Sequence, residues 1–209
     1  MAWSLSLHEF RHPVLADALL LAAGKALYLA NSFESKCQYV LRIMNLVHLT
    51  ESDPVLTLEQ AIAGLPQDKM LGATMNDIVT HPIGGSGAAN ADLLHSSRRA
   101  RNLIAHEGMP AAPIWDLSRK SIIEHAERLR AAVADLTAGD NVVSTWCYEI
   151  EEKMPAPRDF KAAYPDMVAN WVFGDLDRLI AEGEGEPEGN PRTIVEYLRR
   201  RQASRNPAI

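Results

Sequence analysis

The stretch VLADALLLAAGKALYLANSFESKCQYVLRIMNLVH, residues 14–48, decides the fold. Its apolar residues Leu15, Leu19, Ala22, Ala26, Leu29, Phe33, Cys37, Val40, Met44 and Val47 recur at helical spacing, and no proline interrupts them. Pro13 stands just ahead, where a missing N–H costs a helix nothing. A helix of this length spans on the order of 50 Å. It is therefore expected either to run past a single compact core or to kink near Gly24 or Asn31-Ser32.

Outward from this run the pattern stays helical. Thr57 and Gln60 have the spacing of a capping box for a short helix that stops at Gly64. A second short helix is expected over residues 68–79, then a flexible loop at His81-Pro82-Ile83-Gly84-Gly85-Ser86-Gly87, with Asn90 as the cap of the helix after it. Leu93, Leu94, Ser97, Ala100, Leu103 and Ile104 give that helix an apolar stripe, ended by Gly108 and Pro110. Pro113 or Asp116 is expected to start a second long helix, carried by Leu117, Ile122, Leu129, Val133, Leu136, Val143, Trp146 and Ile150 and bent at Gly139-Asp140-Asn141.

No set of alternating strands with hairpin turns is visible, so the fold class is all-α: a helical bundle with two long helices and shorter ones between them. Residues 1–13 are expected as an N-terminal arm, residues 14–154 as the bundle and residues 155–209 as a small helical appendage. The last division follows the prolines at 155 and 157 and the Glu182-Gly183-Glu184-Gly185-Glu186 linker, which cannot bury a face. A final helix is expected from Pro191 to about Arg201, with Arg199-Arg200-Arg201 as its solvated end.

With 209 residues, 47% hydrophobic and 23% charged, the chain has the composition of a folded domain with a sizeable core. A net charge of −6 argues against non-specific coating of nucleic acid, so any such contact is local. Cys37 and Cys147 form no C-x-x-C pair and read as reduced thiols in a cytoplasmic protein. Asp17 and Lys25 bracket the apolar run between them, which argues against a signal peptide, and no stretch approaches the length of a membrane span.

Three stretches carry candidate chemistry. His8-Glu9-Phe10-Arg11-His12 matches the H-E-x-x-H zinc-peptidase pattern, which needs an uninterrupted helix. Pro13 follows at once, and its ring would strike the carbonyl of Glu9, so the match reads as chance. The Gly84-Gly85-Ser86-Gly87 loop lacks the Gly-Lys-Ser/Thr ending of a P-loop and reads as a plain connection. The third stretch is Arg101-Asn102-Leu103-Ile104-Ala105-His106-Glu107-Gly108. It joins a fixed cation, a polar hydrogen-bonder and the side chain that most readily exchanges a proton near neutrality.

Spacing alone does not single this stretch out, because Arg42/His48, Arg99/His106 and Arg119/His125 are similar pairs. Its setting does. Asn102 lies four residues before His106, on the same helical face, while Arg101 is offset and must reach round. His106 sits in the last turn before Gly108, where the negative end of the helix dipole favours a cation. The plainer reading is a C-capping histidine beside a solvated stripe of Arg98, Arg99 and Arg101.

Arg101-Asn102-x-x-x-His106 followed by Gly108, late in an all-α chain with long helices on either side, resembles the R-x4-6-H signature of the HEPN superfamily. The resemblance implies a metal-independent endoribonuclease, often a toxin or defence effector, whose site forms where two motifs meet across a homodimer. It makes His106 the general acid/base at the ribose 2′-hydroxyl or leaving oxygen, Arg101 the stabiliser of phosphate charge and Asn102 the orienting group. No cofactor or metal is implied. RNA is the substrate, and an antitoxin is a partner in some members, where it modifies a tyrosine two residues after the histidine. Gly108 stands at that position here. A non-catalytic helical binding or regulatory protein is the alternative expectation.

Overall fold

The computed structural model describes residues 14–66, 69–82, 89–111 and 117–183. Six helices occupy them: α1 (Val14–Ser52), α2 (Leu58–Ala63), α3 (Leu71–Thr80), α4 (Ala91–Glu107), α5 (Arg119–Glu152) and α6 (Arg158–Ala181). There is no strand among the described residues, and the fold class is all-α. The H-E-x-x-H stretch, the glycine loop, Pro113, Asp116, the linker beyond Gly183 and the expected last helix lie outside the described residues.

α1 is a single helix of 39 residues. Leu15, Leu19, Ala22, Ala26, Phe33, Cys37 and Val40 are buried, whereas Val47 is exposed, so its last turns run past the main core. There α3 and the short α2 lie against it. Thr57 and Gln60 close the capping box of α2, with the Thr57 amide 2.9 Å from Gln60 Oε1 and the Gln60 amide 3.3 Å from Thr57 Oγ1.

The bundle is built around α1 and α5. Arg101 of α4 meets Glu34 of α1, while Ile104 and His106 lie beside Leu20 and Leu27, so α4 runs antiparallel to α1. It is antiparallel to α5 as well, because Ser97 donates to the Asp135 carbonyl at 2.7 Å and His125 reaches the Gly108 carbonyl at the other end. A Cβ on Gly139 would collide with the Ser97 hydroxyl, so the glycine sets the closeness of this crossing. It does so from inside an unbroken helix, as do Asp140 and Asn141.

α5 begins later than the sequence pattern suggests. Ser118 is its N-cap, accepting from the Ser121 amide at 3.1 Å, and Leu117 is buried just ahead of it. The hydroxyl of Ser118 thereby satisfies one of the orphan amides of the first turn.

A second departure concerns residues 158–181, which the sequence pattern assigns to an appendage. They form α6, which packs on both α1 and α5 and buries Val168, Val172, Phe173 and Leu176 in the same core as Phe33 and Leu136. The prolines at 155 and 157 mark a turn between packed helices. Pro165 lies inside α6, where its missing N–H leaves the Lys161 carbonyl without its helical donor. The Asn141 side-chain amide of α5 donates to that carbonyl at 2.9 Å.

Candidate active site

α4 presents Asn102 and His106 on one exposed face, as a four-residue spacing requires. Arg101 is turned about 140° from His106 around the helix axis. Its guanidinium points to α1, where it pairs with Glu34, and its Nη1 lies 3.3 Å from Asn102 Oδ1. Both partners of the ion pair are partly exposed, at 21% and 23% of their side chains, so water and an incoming anion can reach it. The Arg101 Nε is buried without an acceptor among the described residues. No hydrogen bond joins His106 to Arg101 or Asn102 there. The structure therefore brings Arg101 and Asn102 together and leaves His106 apart, its imidazole open to solvent.

The C-capping role belongs to a different histidine. Gly108 ends α4 with its amide 3.1 Å from the Ile104 carbonyl, and its own carbonyl lies 3.0 Å from Nε2 of the buried His125. Arg128 Nη2 stands 3.1 Å from His125 Nδ1. A guanidinium can only donate, so Nδ1 accepts and Nε2 carries the proton given to Gly108. His125 thus fixes the end of α4 from the neighbouring helix. Its spacing from Arg119 is incidental, for Arg119 donates to the Ile180 carbonyl at 2.7 Å instead. His48, of the Arg42/His48 pair, packs edge-to-face on His81 with ring centroids 5.8 Å apart.

His106 lies between two grooves. One, of about 420 Å³, runs toward α5 and is lined by Leu103, Glu107, Met109, His125, Arg128 and Leu129 among others. The other, of about 320 Å³, runs toward α1 over Leu20, Gly24 and Leu27. Leu20, Leu27 and Leu103 are large apolar side chains left exposed beside it, at 41%, 40% and 37%.

A polar cluster the sequence did not reveal lies deeper between α1, α5 and α6. Asp140 is buried in the middle of α5, and Lys36 Nζ of α1 donates to both its oxygens at 2.8 and 3.0 Å and to Ser144 Oγ at 2.9 Å. The Tyr164 hydroxyl of α6 donates to the same carboxylate. Burial, and then the Asp140 charge beside it, push the Tyr164 phenol well above its ordinary range. The available signal was that Asp140 falls four residues after Leu136 and three before Val143, on the buried face of a helix. Nearby, burial raises both free thiols, Cys37 strongly and Cys147 to about 11, so both are protonated at neutral pH.

Among the described residues no group of three His, Cys, Asp or Glu side chains is placed to hold a metal ion, and no helix is long and apolar enough to cross a membrane. Compared with protein-family models, curated proteins and solved structures, the chain matches none.

Proposed function

We propose that this chain is a metal-independent endoribonuclease of HEPN type that acts as a homodimer, in the manner of a toxin or defence effector. The observation that carries the reading is the exposed imidazole of His106 at the end of α4, unengaged among the described residues, sharing a face with Asn102 and lying about one and a half turns from the partly exposed Arg101. In this reading His106 takes the proton of a ribose 2′-hydroxyl, whose oxygen attacks the adjacent phosphorus while the 5′-oxygen leaves with a proton. Arg101 offsets the charge on the phosphoryl oxygens, exchanging Glu34 for the phosphate, and Asn102 orients it.

Attack and departure occur on opposite sides of phosphorus, so one imidazole cannot serve both at once. A second copy would supply the other imidazole and a second arginine. The exposed Leu20, Leu27 and Leu103 beside His106 offer it an apolar seat, since apolar patches of this kind mark association sites.

A second reading, a non-catalytic helical binding or regulatory protein, is favoured by the commitment of Arg101 to Glu34 rather than to the His106 side of α4. One experiment separates the two. The purified protein is incubated with mixed RNAs with and without EDTA, beside Arg101→Ala and His106→Ala, and its mass in solution is measured. EDTA-resistant cleavage lost in both variants, by a dimer, supports the ribonuclease. Intact RNA with the wild type supports the second reading, and a strict monomer counts against a shared site.

A further inference from the structure

We infer that Arg128, on α5, binds the phosphodiester next to the one that is cut, making the groove between the end of α4 and α5 a single-nucleotide subsite. The inference rests on the ribonuclease reading, but its residues come from a different helix and lie outside the R-x4-6-H motif.

Arg128 of α5 lines this groove together with His106 of α4, and its position is held. His125 is buried with both ring nitrogens engaged, one on the Gly108 carbonyl and one on Arg128 Nη2, so the guanidinium rests on a fixed post. That contact uses one of five N–H donors. Arg128 is exposed, and no carboxylate pairs with it among the described residues. Where Arg101 is held by Glu34, Lys36 by Asp140 and Arg130 by Asp177, Arg128 is held by an imidazole and keeps its charge uncompensated by that contact. A preorganised, solvent-facing guanidinium with a free fork suits phosphate geometry.

The rest of the groove fits the nucleoside. Leu103, Met109 and Leu129 provide an apolar wall against which a base can lie, and about 420 Å³ is within the range of small-ligand sites. Glu107 lines the same groove, so its carboxylate repels a phosphate placed on its side and confines the anion to the Arg128 side. His106 is shared by this groove and the one over α1, so a strand lying in both passes across His106.

The test measures binding in a His106→Ala background, where the RNA stays intact, by anisotropy of a labelled single-stranded oligoribonucleotide at several salt concentrations. Arg128→Ala is expected to weaken binding about tenfold and to reduce the slope of log K against log salt by about 0.7, the loss of one single-strand phosphate contact. Arg128→Lys keeps the slope, and Glu107→Gln tightens binding. With His106 intact, Arg128→Ala raises KM and leaves kcat nearly unchanged, because the guanidinium does not touch the reacting atoms. Lys and Gln variants that are folded by thermal midpoint guard against a trivial loss. If the wild type cuts RNA while Arg128→Ala binds with unaltered affinity and slope, the subsite is overturned and the ribonuclease stands. Arg128-dependent binding without any cleavage supports the groove as an RNA contact and overturns the catalysis. No binding by any variant overturns both.

Discussion

Replacing Lys36 with methionine keeps the stem that packs between α1 and α5 and deletes only the ammonium. What is left is a carboxylate, Asp140, with its side chain 2% exposed, that has lost both hydrogen bonds from Lys36 and keeps the one from Tyr164. Removing one partner of a buried pair costs about 3–5 kcal/mol. The Lys36 side chain is 28% exposed, so water can enter part of the gap, and the lower end, about 3 kcal/mol, is expected. For a domain of this size that is a fall of roughly 6–12 °C in Tm. The reverse change, Asp140→Leu, strands an ammonium that can turn to solvent, so it costs less, roughly 1–2 kcal/mol. The double variant recovers much of the loss. Urea unfolding followed by circular dichroism measures all four proteins. A Lys36→Met protein as stable as the wild type, or an Asp140→Leu protein much the less stable of the two, would show that Lys36 does not stabilise the buried carboxylate.

Gly139→Ala gains about 1 kcal/mol of helix propensity, yet the new methyl must fit against Ser97, whose Cβ would lie 2.7 Å away. Overpacking of this kind costs about 1–3 kcal/mol, so a net loss of about 1 kcal/mol is expected; a more stable variant by thermal melting contradicts it. His81, 3.3 Å from Asn45 Oδ1, titrates below its ordinary value, first because of burial and then because of the neighbouring His48, against an opposing pull from Asp77. Its folded form therefore binds protons less readily than the unfolded chain. The contribution is fully present above about pH 6.5 and is lost as the pH falls through the folded value. Urea midpoints measured at mildly alkaline, neutral and mildly acidic pH should decline more steeply for the wild type than for His81→Asn, and equal declines would remove His81 from the account.

Features set by local chemistry were legible in the sequence. The buried stripe of α1 follows directly from the spacing of Leu15, Leu19, Ala22 and Ala26, and the Thr57/Gln60 capping box needs nothing beyond four residues. The face shared by Asn102 and His106 is equally local. Features set by distant chain segments were not. Glu34, 67 residues from Arg101, decides where that guanidinium points. Lys36, 104 residues away, turns an Asp between Gly and Asn from a turn signal into a helix interior. Likewise, prolines at 155 and 157 read as a boundary because the surface that α6 covers comes from α1 and α5 together. Proximity in sequence points to His106 as the C-cap of α4, whereas the donor is His125, brought in by the antiparallel return of α5.

In the proposed reaction His106 works on the ribose 2′-hydroxyl without a metal. The most direct test is the chemistry of the cut ends after incubation of RNA with the protein in EDTA. Fragments bearing 5′-hydroxyl and 2′,3′-cyclic phosphate ends are expected, absent with His106→Ala and absent when the cut site carries a 2′-deoxyribose. Fragments with 5′-phosphate ends, cutting that requires added metal, or RNA left intact by the wild-type protein would contradict this reaction.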